Sequence, residues 1–177
     1  MKTWIALLRG INVGGHNIMP MAELRTLSER LGFERITTYI QSGNLIFSTD
    51  IDDKKTIETQ LSAAISSQFG FAPKLMLVSA SELEACLEAN PYIDITDPKK
   101  LLIFFMSDVP EVINHDKLSS LLIEGERYSL VGSCFYLHVP EGQAKSKMAV
   151  RAESILKVAM TGRNLATVKK LIEITKA

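Results

Sequence analysis

The order of predicted strands and helices in the first 79 residues constrains the fold more than any other feature of this sequence. An almost uninterrupted apolar run over residues 3–9 predicts a central strand that is covered on both faces. A helix with leucines at spacings of three and four follows Pro20, and strands at 36–40 and 45–48 flank the turn "QSGN". A helix after Asp50 and a strand at 74–78 complete the order βαββαβ, which is the split-βαβ or ferredoxin-like arrangement.

The second half of the chain echoes this order. A bridging helix capped by Ser79 and Glu82 precedes a strand at 101–106, a helix at 114–122 and a hairpin at 128–139. Two terminal helices follow, with "TGRN" as the turn between them, so this half reads βαββα plus an extra helix. We therefore expect an α+β fold of two ferredoxin-like units in tandem, residues 1–79 and 80–177. Because no Pro- or Ser-rich linker separates them, we expect them to be packed as one compact body.

Charge and composition exclude several classes of protein. The 20 basic and 20 acidic residues give a net charge of zero, which argues against a nucleic-acid coat protein or a polybasic membrane binder. No apolar stretch approaches the ~20 residues of a membrane helix, and the N-terminus shows no signal-peptide cleavage site, so we expect a cytoplasmic protein. Cys86 and Cys134 lack the spacing of a zinc or redox motif, and we expect two buried thiols. The sequence predicts no metal and no cofactor.

A candidate site emerges from the predicted topology of the first unit. The crossover rule makes its first two strands parallel, so both end at the same edge of the sheet. The loop "RGINVGGHN" and the turn "QSGN" should therefore lie side by side. Together they supply hydrogen-bond donors and one fixed charge without a general base, from Arg9, Gly10, Asn12, Gly14, Gln41, Ser42, Gly43 and Asn44.

The glycine spacing of "GINVGGHN" is that of a phosphate-binding P-loop, but the chemistry is not. His16 and Asn17 stand where the lysine and the magnesium-binding hydroxyl would be, so nucleotide hydrolysis is not supported. The spacing does not match a dinucleotide-binding loop either. The alternative interpretation is a tightly turned loop whose glycines allow positive φ and whose asparagines bond their own backbone.

Two segments near the C-terminus offer further anion-binding groups. Ser146 and Lys147 stand at the mouth of a predicted helix, where Ser146 is equally well explained as an ordinary cap. Arg163 and Asn164 follow in "TGRN", where Arg163 could grip a phosphate or carboxylate or simply pin the loop to a backbone carbonyl. Residues 143–177 hold eight basic and two acidic residues, which fits an anionic partner or a solvated face.

The motifs "ALLRGINVGGHN", "MAELRTLSERLGF", "TYIQSGNLIFS", "NPY", "YLHVPEG" and "GRNLATVKKL" together resemble the bacterial family called domain of unknown function 1697. The resemblance covers essentially the whole chain and implies a ferredoxin-like α+β fold with an internal duplication. It implies no activity. The family's polar motifs correspond to the candidate residues named above, from Arg9 to Asn164. The chain departs from the family pattern at Ala144, where members generally carry glycine, and at Gly162, where alanine is commoner.

These observations predict a ligand-binding protein that accepts an anionic or nucleotide-like small molecule at the Arg9 loop and the QSGN turn. One alternative is a single-stranded nucleic-acid module with aromatic side chains on an open sheet, although the sequence lacks the aromatic motif of such modules. Another is an enzyme of unknown reaction that uses His16 or Ser42, for which the sequence shows no catalytic constellation. A third is a structural or partner-binding protein, which predicts an exposed apolar patch.

Overall fold

The computed structural model describes all 177 residues, and its contacts divide the chain into two units. The first comprises Met1–Leu83 with Leu171–Ala177, and the second comprises Glu84–Lys170. None of the helices combines the length and apolarity needed to cross a membrane. That residues 1–79 and 80–177 are separate domains, and that they pack as one compact body, stays a prediction.

The first unit has the predicted βαββαβ order. Its elements are β1 (Lys2–Arg9), α1 (Met21–Arg30), β2 (Glu34–Tyr39), β3 (Asn44–Thr49), α2 (Lys54–Phe69) and β4 (Lys74–Ser79). The sheet order is β2-β3-β1-β4, and every neighbouring pair is antiparallel. Alternate side chains of β1 and β3, such as Leu8 and Phe47, pack with the apolar stripes of α1 and α2 in one core. This arrangement confirms the ferredoxin-like prediction for the first unit.

The rest of the chain repeats this topology in full. After α3 (Ala80–Glu88) come β5 (Leu101–Met106), α4 (His115–Ser119), β6 (Arg127–Val131), β7 (Cys134–His138), α5 (Lys147–Leu156), β8 (Met160–Asn164) and α6 (Leu165–Lys176). The sheet order is β6-β7-β5-β8, again antiparallel throughout. The chain therefore contains two ferredoxin-like units, each with its own four-stranded sheet.

The expectation that "TGRN" is a turn between two helices is wrong. Residues Met160–Asn164 form the edge strand β8, which pairs with β5 and completes the second sheet. The sequence predicted a turn because the segment lacks the alternation of apolar residues typical of a strand and contains a glycine, which commonly ends a helix. Gly162 instead faces Phe104, and a Cβ atom at this position would lie 2.6 Å from Phe104 Cε1. The glycine is thus required by close packing against the aromatic ring.

The expectation of two free thiols is also wrong, because Cys86 of α3 and Cys134 of β7 form a disulfide. Both residues are buried. The hydroxyl of Tyr136 donates a hydrogen bond to the backbone oxygen of Cys86, 2.5 Å away, so a second interaction joins α3 to the same strand. The spacing of 48 residues between the cysteines gave no sign of this pairing.

Candidate functional site

The loop after β1 and the turn after β2 lie side by side in the structure. β1 and β2 are both antiparallel to β3, so they run parallel to each other and end at the same edge of the sheet. The amide nitrogen of the Asn12 side chain donates to the backbone oxygen of Gln41 at 3.0 Å. The backbone N–H of Leu8 donates to the backbone oxygen of Gly43 at 2.8 Å. These bonds join the loop and the turn, which the predicted topology had placed side by side.

The glycine-rich loop is a miniature hairpin. Asn12 N–H bonds to the oxygen of Asn17 at 3.1 Å, and His16 N–H bonds to the oxygen of Val13 at 3.0 Å. Gly14 and Gly15, between them, have φ values of +57° and +76°. Two-residue hairpin turns of type I′ require positive φ at both central positions, which glycine adopts without steric cost. The glycine pair therefore serves the turn geometry and is no evidence of a phosphate cradle.

Asn12 fastens this hairpin to its surroundings. Its side-chain oxygen accepts from Met19 N–H at 2.8 Å, and its side-chain nitrogen donates to the oxygens of Met19 and Gln41. Asn17 adds a bond from its side-chain nitrogen to the oxygen of Gly10 at 2.9 Å. Both asparagines have positive φ, which this residue type tolerates better than most. Asn12 thus holds the loop in place, as the tightly-turned-loop interpretation predicted.

The QSGN turn is equally constrained. A Cβ atom at Gly43 would lie 2.7 Å from Ile11 Cδ1 and 2.8 Å from Leu8 Cβ, and the φ of Gly43 is +86°. Asn44 is buried, and its side-chain nitrogen donates to the backbone oxygen of Tyr39 and to Ser42 Oγ. Gly43 and Asn44 therefore shape the turn, while the side chains of Gln41 and Ser42 remain exposed.

Two cations meet at this edge of the sheet. Arg9, the last residue of β1, pairs in register with Lys74, the first residue of β4, and both are exposed. Side chains directly opposite each other on antiparallel strands project from the same face, about 5 Å apart at Cβ. Sequence reasoning singled out Arg9 and missed Lys74, although the strand order of a ferredoxin-like sheet places β4 beside β1 and was sufficient to find it.

The remaining candidates belong to the second compact unit, Glu84–Lys170. Ser146 is buried, and its hydroxyl accepts from Ala149 N–H, so it caps α5. Asn164 caps α6 by accepting from Thr167 N–H at 2.9 Å. Lys147 is exposed at the start of α5. Arg163 donates to the backbone oxygen of Gly162, and burial lowers its pKa to about 10, which leaves it charged at neutral pH. That these four residues join the Arg9 edge stays a prediction.

The geometry bears on two of the alternatives. The imidazole of His16 makes no hydrogen bond, so the His16–Ser42 pairing that acyl chemistry needs is not formed. The side chains of β1 from Trp4 to Leu8 are buried, as are all of those on β3 and β5. The central strands therefore present no exposed aromatic ring on which a nucleic-acid base could stack.

Residues 1–136 match the family described as "Protein of unknown function (DUF1697)". The chain belongs to this family. It is also similar to a solved structure, described as conserved bacterial protein SP0830 from Streptococcus pneumoniae, with 28% sequence identity and a TM-score of 0.70. The similarity covers 98% of each chain, so both ferredoxin-like units of this DUF1697 protein have counterparts there. No curated protein matches the chain.

Proposed function

We propose that the chain binds a small anionic ligand, such as a phosphate-bearing or nucleotide-like molecule, at the edge where the Arg9 loop meets the QSGN turn. The observation that carries the proposal is the cross-strand pair of Arg9 and Lys74 at this edge. A guanidinium binds phosphate or carboxylate oxygens in a bidentate fashion, and an ammonium adds a point charge. Two cations projecting from one face of neighbouring strands favour an anion that contacts both.

The surrounding backbone supports binding because it is already ordered. The hairpin bonds of Asn12 and the packing around Gly43 fix the loop and the turn before any ligand arrives. Ordering a loop on binding opposes affinity, and a preorganised loop avoids much of that cost. The exposed side chains of Gln41 and Ser42 add neutral hydrogen-bonding groups in the turn that adjoins the Arg9 loop.

Thermal-shift measurements and titration calorimetry with inorganic phosphate, ADP and a sugar phosphate test the proposal. At a concentration ten times Kd, a ligand stabilises the folded state by about 1.4 kcal/mol, which raises the Tm of a chain of this size by roughly 3–6 °C. Arg9→Ala and Lys74→Ala should each reduce this shift. Arg151→Ala is the matched control, because Arg151 is exposed on α5 in the other unit and its replacement leaves the Arg9 edge unchanged. Equal responses from all four proteins would remove the site assignment.

A further inference from the structure

Three residues with exposed aliphatic side chains adjoin the point where the loop and the turn are joined. Val13, Ile18 and Ile40 are 65%, 57% and 48% exposed, and we call them the aliphatic patch. Each adjoins a residue that takes part in the hydrogen bonds of the Asn12 side chain: Val13 follows Asn12, Ile18 precedes Met19, and Ile40 precedes Gln41. Consecutive Cα atoms lie about 3.8 Å apart, so the backbone of all three residues lies close to the same amide group.

The exposure of Ile40 is not explained by the needs of the fold. Its φ is +52°, in the left-handed region that β-branched residues rarely adopt. Glycine or asparagine would satisfy the same turn with less strain, and a polar residue would be better solvated. A strained residue that is also an exposed hydrophobe points to a role outside folding. Val13 and Ile18 likewise contribute little to the core, since more than half of each is open to solvent.

The charged edge and the aliphatic patch are linked through the same short loop. Arg9 precedes Gly10, whose backbone oxygen accepts from the Asn17 side chain, and Ile18 follows Asn17. A molecule held at Arg9 is therefore close to Ile18, and the bond from Asn12 to the backbone oxygen of Gln41 brings Ile40 to the same loop. Polar and apolar groups around one edge fit a ligand that itself has a charged end and an apolar body.

We infer that the ligand is an amphiphilic anion, with a phosphate or carboxylate group at Arg9 and Lys74 and an aliphatic portion on Val13, Ile18 and Ile40. This inference rests on the proposed function, because it uses the same cations. It adds the chemical class of the ligand. Because the patch is open to solvent, it can cover only one side of an alkyl chain. Each methylene group of the ligand should therefore raise the affinity about twofold, compared with about fourfold for a fully buried methylene.

A series of phosphate monoesters of increasing length tests the inference. Inorganic phosphate and methyl, butyl and hexyl phosphate are titrated calorimetrically below the concentration at which the longest ester forms micelles. Wild-type affinity should rise roughly fourfold from butyl to hexyl phosphate at twofold per methylene. The variant Val13→Thr, Ile18→Thr, Ile40→Asn should bind inorganic phosphate as the wild type does but lose the dependence on chain length. Val150→Thr, at an exposed position on α5, should keep it.

The outcomes separate the inference from the proposed function. If none of the phosphates binds to the wild type, the proposed function fails and the inference fails with it. If inorganic phosphate binds and the longer esters bind no tighter, the amphiphile is excluded while the anion site stands. A chain-length gain that survives in the patch variant also overturns the inference. So does light scattering that shows a wild-type dimer and a monomeric patch variant, because the patch would then be a surface for self-association.

Discussion

Reduction of the Cys86–Cys134 disulfide is expected to lower the free energy of unfolding by about 4 kcal/mol. The bond joins α3 to β7 across a separation of 48 residues, with the two Cα atoms 6.1 Å apart. In the chain-entropy treatment, a closed loop of this length removes about 14 cal/mol/K from the unfolded chain, which is about 4 kcal/mol at 25 °C. For a chain of this size, the Tm should therefore fall by roughly 8–16 °C.

The hydrogen bond from Tyr136 to the backbone oxygen of Cys86 should preserve the native structure when the disulfide is reduced. Burial raises the pKa of Tyr136 to about 12, so its hydroxyl stays protonated and can donate throughout the neutral range. The reduced protein keeps this attachment between α3 and β7 and keeps two small apolar side chains in the same place. We therefore expect a less stable protein with the same fold.

Thermal and urea unfolding, followed by circular dichroism with and without a phosphine reductant, measure this loss. The double variant Cys86→Ala, Cys134→Ala serves as the control, because it should resemble the reduced wild type and show no response to reductant. Titration of thiols in denatured, unreduced protein should find none. Two titratable thiols there, or a wild-type Tm that stays constant on reduction, would refute the reasoning.

Three further predictions concern stability. Gly162→Ala brings a methyl group against the ring of Phe104 and should lower the free energy of unfolding by about 1–3 kcal/mol. The double variant Gly162→Ala, Phe104→Leu should lose less stability than the sum of the two single changes. Urea midpoints that show simple additivity would contradict this. Gly43→Ala combines a left-handed φ with close contacts and should lower the free energy of unfolding by about 3 kcal/mol or more. Gly15→Ala, in open space at a similar φ, should lower it by about 1 kcal/mol. Equal losses in urea unfolding would show that the contacts do not matter. Burial raises the pKa of Glu82, but hydrogen bonds from Ser79 and the charge of Lys54 outweigh it and lower that pKa overall. The stabilising contribution of Glu82 is therefore present above its ordinary pKa of 4.5 and is lost as the pH falls through the lower folded-state pKa. Glu82→Gln, which can keep the capping-box hydrogen bond, should lose less stability than the wild type between about pH 6 and about pH 3, and identical pH profiles would argue against the shift.

The strands with continuous apolar runs were predictable from the sequence because burial on both faces leaves a clear pattern. β5 was predicted with its observed bounds, and the capping box of α3 is present, with Glu82 accepting from Ser79 N–H and Ser79 Oγ accepting from Glu82 N–H. β8 was missed because an edge strand of five residues needs little apolar surface, and its partner lies more than fifty residues away in sequence. The disulfide was missed for the same reason, since it depends on tertiary proximity.

The candidate site shows the same division between local and long-range information. The parallel course of the first two strands correctly predicted that the Arg9 loop adjoins the QSGN turn. The miniature hairpin was missed, although a Gly-Gly pair between Val13 and His16 is the local signal for a type I′ turn. The roles of Asn12 and Asn44 could not be read from residue type, because an amide that holds a loop and an amide that binds a ligand look alike in a sequence. The structure separates them by showing which amides bond the backbone.

The internal duplication indicates why the proposed anion site belongs to one unit. The two units share strand order, so the loop after β5 is topologically equivalent to the loop after β1. Arg9 and Lys74 are paired where β1 ends and β4 begins, whereas the equivalent pair, where β5 ends and β8 begins, is Met106 and Met160. The equivalent positions of the second sheet therefore carry no charge. Because the two units share their topology and differ in charge at this pair, the proposal makes anion binding depend on Arg9 and Lys74, and it predicts one bound anion per chain.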